Sequence, residues 1–287
     1  MKRRLFCEIS PTAYKISMLK CIALRHIKNF LGGIFGMRFA SEKSEERLPV
    51  LLYKHSSLIR RRLGNADMRL QENKAVNLSI AAPKISGIMI HPGETFSFWK
   101  LVGSPTEEKG YLEGLTIEGG KPSKGIGGGL CQMTNLIHWM ALHSELEISE
   151  HHHHDQIDLF PDYGRKVPFG TGTSVFYNYL DYRLKNNTKN TYQIIVYTDG
   201  EYLRGELRAV DRSKFAFHIK SEKERFVREN GEVYRRGEVY RAVVDSRSGR
   251  LIKKELIRKN NAKIAYSPDI LLQNGIGISD EKGGTLL

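Results

Sequence analysis

The sequence predicts an α+β protein. An N-terminal helical leader precedes a mainly antiparallel β domain, built around one buried helix that starts at Cys131. Three observations carry this. Apolar residues recur at helical spacing near the N-terminus. Near residue 86 the texture changes to short alternating runs separated by Gly, Pro and Asn turns. Between them in character stands Gly125-Ile126-Gly127-Gly128-Gly129-Leu130-Cys131-Gln132, where four glycines run into an apolar helical segment.

The leader is read first. Ile16, Leu19, Ile22, Ala23, Ile27, Phe30, Leu31 and Ile34 fall at helical spacing, with basic residues between them and Gly32-Gly33 at the end. Such a stretch is either a surface helix covering a core or a basic amphipathic helix on an anionic membrane surface, through residues 11–36. A second helix is expected over residues 50–63 and a third beginning at Asn73, giving a leader over 1–85. The first six residues resemble the basic start of a signal peptide, but charged residues interrupt the apolar stretch that would follow. No cleavable signal is expected, which favours a cytoplasmic protein, peripheral at the inner membrane face.

A core region over 86–210 follows. Ile88-Met89-Ile90 and Thr95 to Trp99 read as strands, and Leu115-Thr116-Ile117 as another, with Gly119-Gly120 as its hairpin turn. Leu130, Met133, Leu136, Ile137, Met140 and Ala141 fit a buried helix of about three turns. Leu146-Glu147-Ile148 reads as a strand leading to four histidines, His151 to His154. Tyr192–Tyr197 and Tyr202–Leu207 flank Asp199-Gly200 as a hairpin. A β extension over 211–273 contains Glu232-Val233-Tyr234 and its repeat Glu238-Val239-Tyr240, each preceded by glycine, and a last hairpin around Arg247-Ser248-Gly249. Residues 274–287 read as a frayed tail.

The formal charge of +13 and the pI near 9.6 favour anionic partners without choosing among them. Zinc-finger, helix-turn-helix and RNP signatures are absent, so no nucleic-acid partner is expected. Three cysteines without regular spacing do not make a disulfide framework. The glycine run lacks the Lys-Ser/Thr of a phosphate loop and the downstream acid of a dinucleotide fingerprint, and no cofactor is expected.

Cys131 is the main candidate. At a helix start its thiol is easier to ionise, which fits a nucleophile. A small buried hydrophobe is the other reading. The base is sought in the histidine run, since a helix and an antiparallel return strand bring that segment back toward the helix start. His138 shares a helix face with Cys131 and Asn135, but lies about 10 Å along the axis from Cys131. In a strand, alternate histidines point to one side. A zinc site on the cluster is a weak alternative, and no metal is assigned.

Pro92-Gly93-Glu94-Thr95-Phe96-Ser97-Phe98, the Gly-Gly-Gly-Leu-Cys-Gln element at 127–132, and Asp181-Tyr182-Arg183-Leu184-Lys185-Asn186-Asn187-Thr188 together resemble the VanW family. Gln71-Glu72-Asn73-Lys74 belongs to the same likeness. The resemblance implies a bacterial protein linked to glycopeptide resistance and the cell envelope, with no settled chemistry. It implies Gly127, Gly128, Gly129, Cys131 and Gln132 as family positions, His154 as the family histidine and His152 as a second; His138 does not match. Gly172 stands where many members carry an acid, so if that acid orients a histidine, this chain has lost it or uses Asp162 or Asp181.

The resulting expectation is a thiol-dependent hydrolase or transferase acting on peptidoglycan or a lipid-linked wall precursor. Cys131 would be nucleophile, His154 base with His152 beside it, and Gly127, Gly128 and Gly129 an oxyanion or carboxylate cradle, with Gln132 and Asn135 contacting substrate. A non-catalytic module binding wall precursors or a membrane-bound partner is the alternative.

Overall fold

The computed structural model describes residues 5–61, 67–118, 121–153, 157–158, 161, 167–280 and 285–286. Helix α1 (Pro11–Ile34) is followed by β1 (Arg38–Phe39), β2 (Val50–Leu58), α2 (Met68–Ile85), β3 (Ile88–Ile90), β4 (Glu94–Ser97) and a short α3 (Phe98–Val102). Next come β5 (Glu113–Glu118), β6 (Lys121–Ile126), α4 (Cys131–Ala141), β7 (Glu147–Glu150), β8 (Ile157–Asp158) and β9 (Arg183–Lys185). The chain closes with β10 (Tyr192–Thr198), β11 (Tyr202–Ala209), β12 (Phe215–Glu229), β13 (Glu232–Asp245), β14 (Leu251–Ile264), α5 (Asp269–Gln273), β15 (Ile278–Asp280) and β16 (Thr285–Leu286). An α+β protein with mainly antiparallel pairing and a helix starting at Cys131 is what the sequence predicts.

One sheet has the order β2-β11-β10-β3, antiparallel throughout. A second has the order β1-β4-β9-β7, and β5 and β6 form a separate hairpin. Helices α2 and α4 supply Leu78, Ala81, Ile85, Met133, Leu136 and Met140 to the main core, which Ile88, Ile90, Phe96, Leu184, Ile194 and Leu207 complete from the strands. Gly205 of β11 lets α4 approach the sheet: a Cβ there would stand 2.7 Å from Met140 and 2.9 Å from Leu136. The third sheet, β16-β15-β12-β13-β14-β8, is dominated by the long β12–β13–β14 meander and has its own small core of Phe226, Val233, Ile264, Leu271 and Ile278.

Several local expectations are corrected. The stretch from residue 50 is the strand β2, not a second helix. It pairs with β11 from Val50 to Leu58, and long-range pairing outweighs a leucine spacing that reads as helical. Helix α2 begins five residues earlier than Asn73, capped by Asp67, whose carboxylate accepts from the Arg69 amide at 2.9 Å. Asn73 instead donates from inside the helix to the Glu113 carbonyl at 2.8 Å. Phe98 and Trp99 leave the strand and start α3, because Asp181, far along the chain, accepts from the Trp99 amide at 3.0 Å and from Ser97 Oγ at 2.6 Å. Both Glu-Val-Tyr copies lie on the single strand β13. Gly231 makes the turn before it (φ +80°), while Gly237 faces the bulge in β12 between Glu222 and Arg225. The expected frayed tail contains β15, which pairs in parallel with β12 and buries Ile278. The hairpin turn at Gly119-Gly120 lies outside the described residues.

Candidate functional site

The glycine run is shaped by what packs against it. Gly128 and Gly114 of β5 meet backbone to backbone; a Cβ on Gly128 would stand 2.2 Å from the Gly114 carbonyl carbon. Gly127 and Gly129 take positive φ, +76° and +89°. Asn77 of α2, fully buried, staples the turn: its Nδ2 donates to the Leu112 and Gly128 carbonyls, each at 2.9 Å, and its Oδ1 accepts from the Leu112 amide at 2.8 Å. The Gly127 amide donates to Leu112 and the Gly128 amide to Gly125, each at 3.0 Å. The cradle assigned to Gly127, Gly128 and Gly129 therefore has two of its three amides engaged in the protein's own turn.

This turn delivers Cys131 to the start of α4 beside a side chain the sequence reading gave no role. Lys74 of α2 lays its stem across Gly129, where a Cβ would stand 2.3 Å from Lys74 Cγ. Its Nζ donates to Gln71 Oε1 at 2.7 Å, and Gln71 is itself buried and accepts from the Arg61 amide at 3.3 Å. Burial brings the Lys74 ammonium down to about 8, with Arg61 and Arg60 adding to the drop and Cys131 opposing it. Burial pushes the Cys131 thiol up, opposed by the Lys74 charge and by the amides of Cys131 and Gln132 at the helix start. Sulfur and ammonium thus form a coupled pair in which each favours the other's charged form and burial disfavours both. Lys74 stands in the Gln71-Glu72-Asn73-Lys74 segment, but only its packing across Gly129 brings its charge near Cys131.

The remaining expected residues fall around this pair as follows. Gln132 turns toward β2, its Nε2 donating to Ser57 Oγ and the Leu58 carbonyl, both at 2.9 Å. Asn135 lies one turn beyond Cys131 and its Oδ1 accepts from the Thr173 amide at 2.6 Å and Thr173 Oγ1 at 2.8 Å. Thr173 Oγ1 also reaches the Cys131 carbonyl at 3.4 Å. Asn135 and Thr173 therefore fasten the 171–174 loop over the helix, a contact that no local sequence pattern announces. His154 lies outside the described residues, as does Asp162.

The histidine run divides by alternation, although it lies past the end of β7 at Glu150. The His151 and His153 rings touch at a tilt, centroids 3.8 Å apart and planes at 58°, and His151 lies 4.1 Å from the buried His138 of α4. His151 Nε2 donates to the Gly172 carbonyl at 3.1 Å, and His138 Nδ1 pairs with the Tyr182 hydroxyl at 3.1 Å. Burial holds His138 well below the ordinary imidazole range, with His151 and His153 adding to the shift. It brings His151 to about 4 and His153 to about 3. These are neutral imidazoles at physiological pH. His152 points elsewhere, to Glu150 Oε1 at 3.0 Å. Among the described residues no group of three or more His, Cys, Asp or Glu side chains is placed to hold a metal ion.

Glu150 is the hub of a second polar cluster. Arg25 of α1 grips it with two bonds of 2.6 and 2.5 Å, and the Asp181 amide donates to it at 3.1 Å. Burial alone would raise this carboxyl; His152, Arg25 and the Asp181 amide outweigh burial and hold it at about 2. Asp181, considered as a possible orienter of a catalytic histidine, is committed to Ser97, Trp99, Tyr182 and Arg183.

The fold and site define an α+β protein with a glycine turn that presents a half-buried thiol at a helix start, with a lysine charge nearby. The chain belongs to the VanW family: the family profile, described as VanW like protein, matches residues 73–208, which hold Lys74, the glycine turn, Cys131 and the histidine run. It is 35% identical over 236 residues to the vancomycin B-type resistance protein VanW of Enterococcus faecalis, covering 80% of this chain and 86% of that protein. It is also 30% identical over 115 residues to the uncharacterized protein YoaR of Bacillus subtilis, covering 40% of this chain and 36% of that protein. No solved structure matches the chain.

Proposed function

We propose that this protein is an accessory factor of glycopeptide resistance that performs thiol chemistry on peptidoglycan or its precursors, with Cys131 as nucleophile and Lys74 as its proton acceptor. The observation that carries this reading is the Cys131–Lys74 pair at the start of α4. A lysine lowered to about 8 keeps a fraction of free amine near physiological pH, and that form can take a proton. The likeness to the Enterococcus protein named for vancomycin resistance supplies the wall context.

The step balances simply. Lys74, as the free amine, takes the thiol proton. The sulfur attacks an acyl carbonyl of a wall peptide, and a thioester forms as the amide C–N bond breaks. The proton held by Lys74 goes to the leaving amine. Water or another amine then takes the acyl group, which gives hydrolysis or transfer respectively. The helix-start amides that favour the thiolate also favour negative charge developing nearby.

A second reading is a precursor-binding module without turnover. It is favoured by two observations: burial raises the thiol, and the Gly127 and Gly128 amides are engaged internally. The readings part on one experiment. Purified protein is incubated with a lipid-linked wall precursor, and products and protein mass are followed. Turnover or a Cys131 acyl adduct, both lost in Cys131→Ser and strongly reduced in Lys74→Met, supports the enzyme. Binding that survives Cys131→Ser with no product in the wild type supports the module.

A further inference from the structure

Helix α1 turns most of its apolar side chains away from the body, with Met18 and Ile22 partly covered. Its partly covered residues are Ser17, Met18, Cys21, Ile22, Arg25, Asn29 and Gly32, which share one face. Polar bonds hold that face down. Arg25 grips Glu150 and donates to the Tyr179 carbonyl at 3.0 Å, and Arg183 donates to Asn29 Oδ1 at 2.7 Å. Ala13 is the one buried residue of the helix. The opposite face carries Ile16, Leu19, Ala23, Ile27, Phe30 and Ile34, all exposed; Leu19 is 62% exposed and Phe30 70%. Leu24 and Leu31 widen the stripe.

We propose that this outward stripe of α1 is a docking surface for an anionic lipid bilayer, on which the helix lies flat. Charge selects the occupant. Lys15, Lys20, His26 and Lys28 are exposed around the stripe, and no acidic residue occurs between Glu8 and Glu42. Cations at the edges of an apolar stripe sit at headgroup depth while the apolar residues enter the acyl boundary. A second copy of the chain is a poorer fit, because pairing the stripes would bring two sets of lysines together with no acid between them. At 1.5 Å per residue the helix extends about 36 Å, yet no helix among the described residues is long and apolar enough to cross a membrane. Flat binding uses that length without a crossing. The Arg25–Glu150 clamp then fixes the body against the bilayer.

The test uses the full chain and sedimentation with vesicles of phosphatidylcholine, with or without phosphatidylglycerol. The wild type is expected to partition onto the anionic vesicles at least about tenfold better than onto neutral ones, with the difference shrinking at high salt. Leu19→Ser/Ile27→Ser/Phe30→Ser is expected to lose about tenfold or more of that partitioning, and Lys15→Glu/Lys20→Glu/Lys28→Glu to lose the preference for anionic lipid. These residues are exposed, so circular dichroism and melting temperature should be unchanged in both variants. Equal partitioning of wild type and the triple serine variant overturns the proposal. So does a dimer that the serine variant converts to monomer without any change in vesicle binding. Cys131→Ser should bind vesicles like the wild type, which separates this surface from the thiol chemistry.

Discussion

Helix α4 buries eight of its eleven residues, and α1 buries one of its twenty-four. Both carry apolar residues at helical spacing, so periodicity alone does not say where a helix puts its apolar side. In α4 the apolar face meets the sheet at Gly205 and the polar atoms of Asn135 and Thr134 meet the 171–174 loop. In α1 Arg25 and Asn29 take the inner position because they pair there with Glu150 and Arg183, and most of the apolar residues are left outside. A helix is oriented by whichever face finds partners, and in α1 those partners include a half-buried carboxylate.

Mutations should break the two helices unequally. Leu136→Ala in α4 is expected to cost about 3 kcal/mol in urea unfolding, whereas Ile27→Ala in α1 should cost no more than about 0.5 kcal/mol. The glycines sharpen the contrast. Gly128→Ala, ahead of α4, forces a Cβ into the Gly114 backbone and should cost about 3 kcal/mol or more, with soluble expression falling accordingly. Gly33→Ala in α1 meets nothing within 4 Å and should stabilise the helix by about 0.5–1 kcal/mol.

The clamp between the helices' surroundings comes next in size. Arg25→Ala leaves Glu150 with His152 and Arg183 and should cost about 1–2 kcal/mol, since both partners keep some solvent exposure. Glu150 is depressed in the folded state. Its contribution is therefore present above the ordinary carboxyl range and lost as pH falls from about 4.5 toward 2. In Arg25→Ala that acid loss should begin from a smaller starting stability and be shallower, read as melting temperature against pH.

The histidines act in a higher window. His151 and His153 are lowered in the folded state, so the unfolded chain binds protons first. Stability is full above about 6.5 and falls as pH drops toward 4 and then 3. His151→Asn should flatten the upper part of that fall by about 1 kcal/mol, with allowance for partial exposure. An unchanged slope between pH 6.5 and 4 would show that the two imidazoles are not shielded from water as described.

Much of the fold was legible from residues that carry their own signal. The β10–β11 hairpin announced itself through Asp199-Gly200, and α4 through its glycine entry and apolar spacing. What stayed hidden depends on distant partners. Residues 50–58 form a strand because β11 is there to pair with them. Phe98 starts a helix because Asp181 caps it. For the site, Cys131 and the glycine turn were readable because glycine marks close approach. Lys74 was not, because lysine on a helix is usually solvated and only packing across Gly129 brings it to the thiol. The alternation of His151 and His153 was legible, although they lie past the end of β7, but their destination, His138, was not.

The measurement that bears most directly on the thiol–lysine pair is the pH dependence of Cys131 alkylation, in a Cys7→Ser/Cys21→Ser background with and without Lys74→Met. Loss of the ammonium should move the alkylation midpoint up and slow the reaction near neutrality, with the fold intact by circular dichroism. Superimposable profiles for the two proteins would mean that Lys74 does not act on the sulfur, and the proposed chemistry would lose its base.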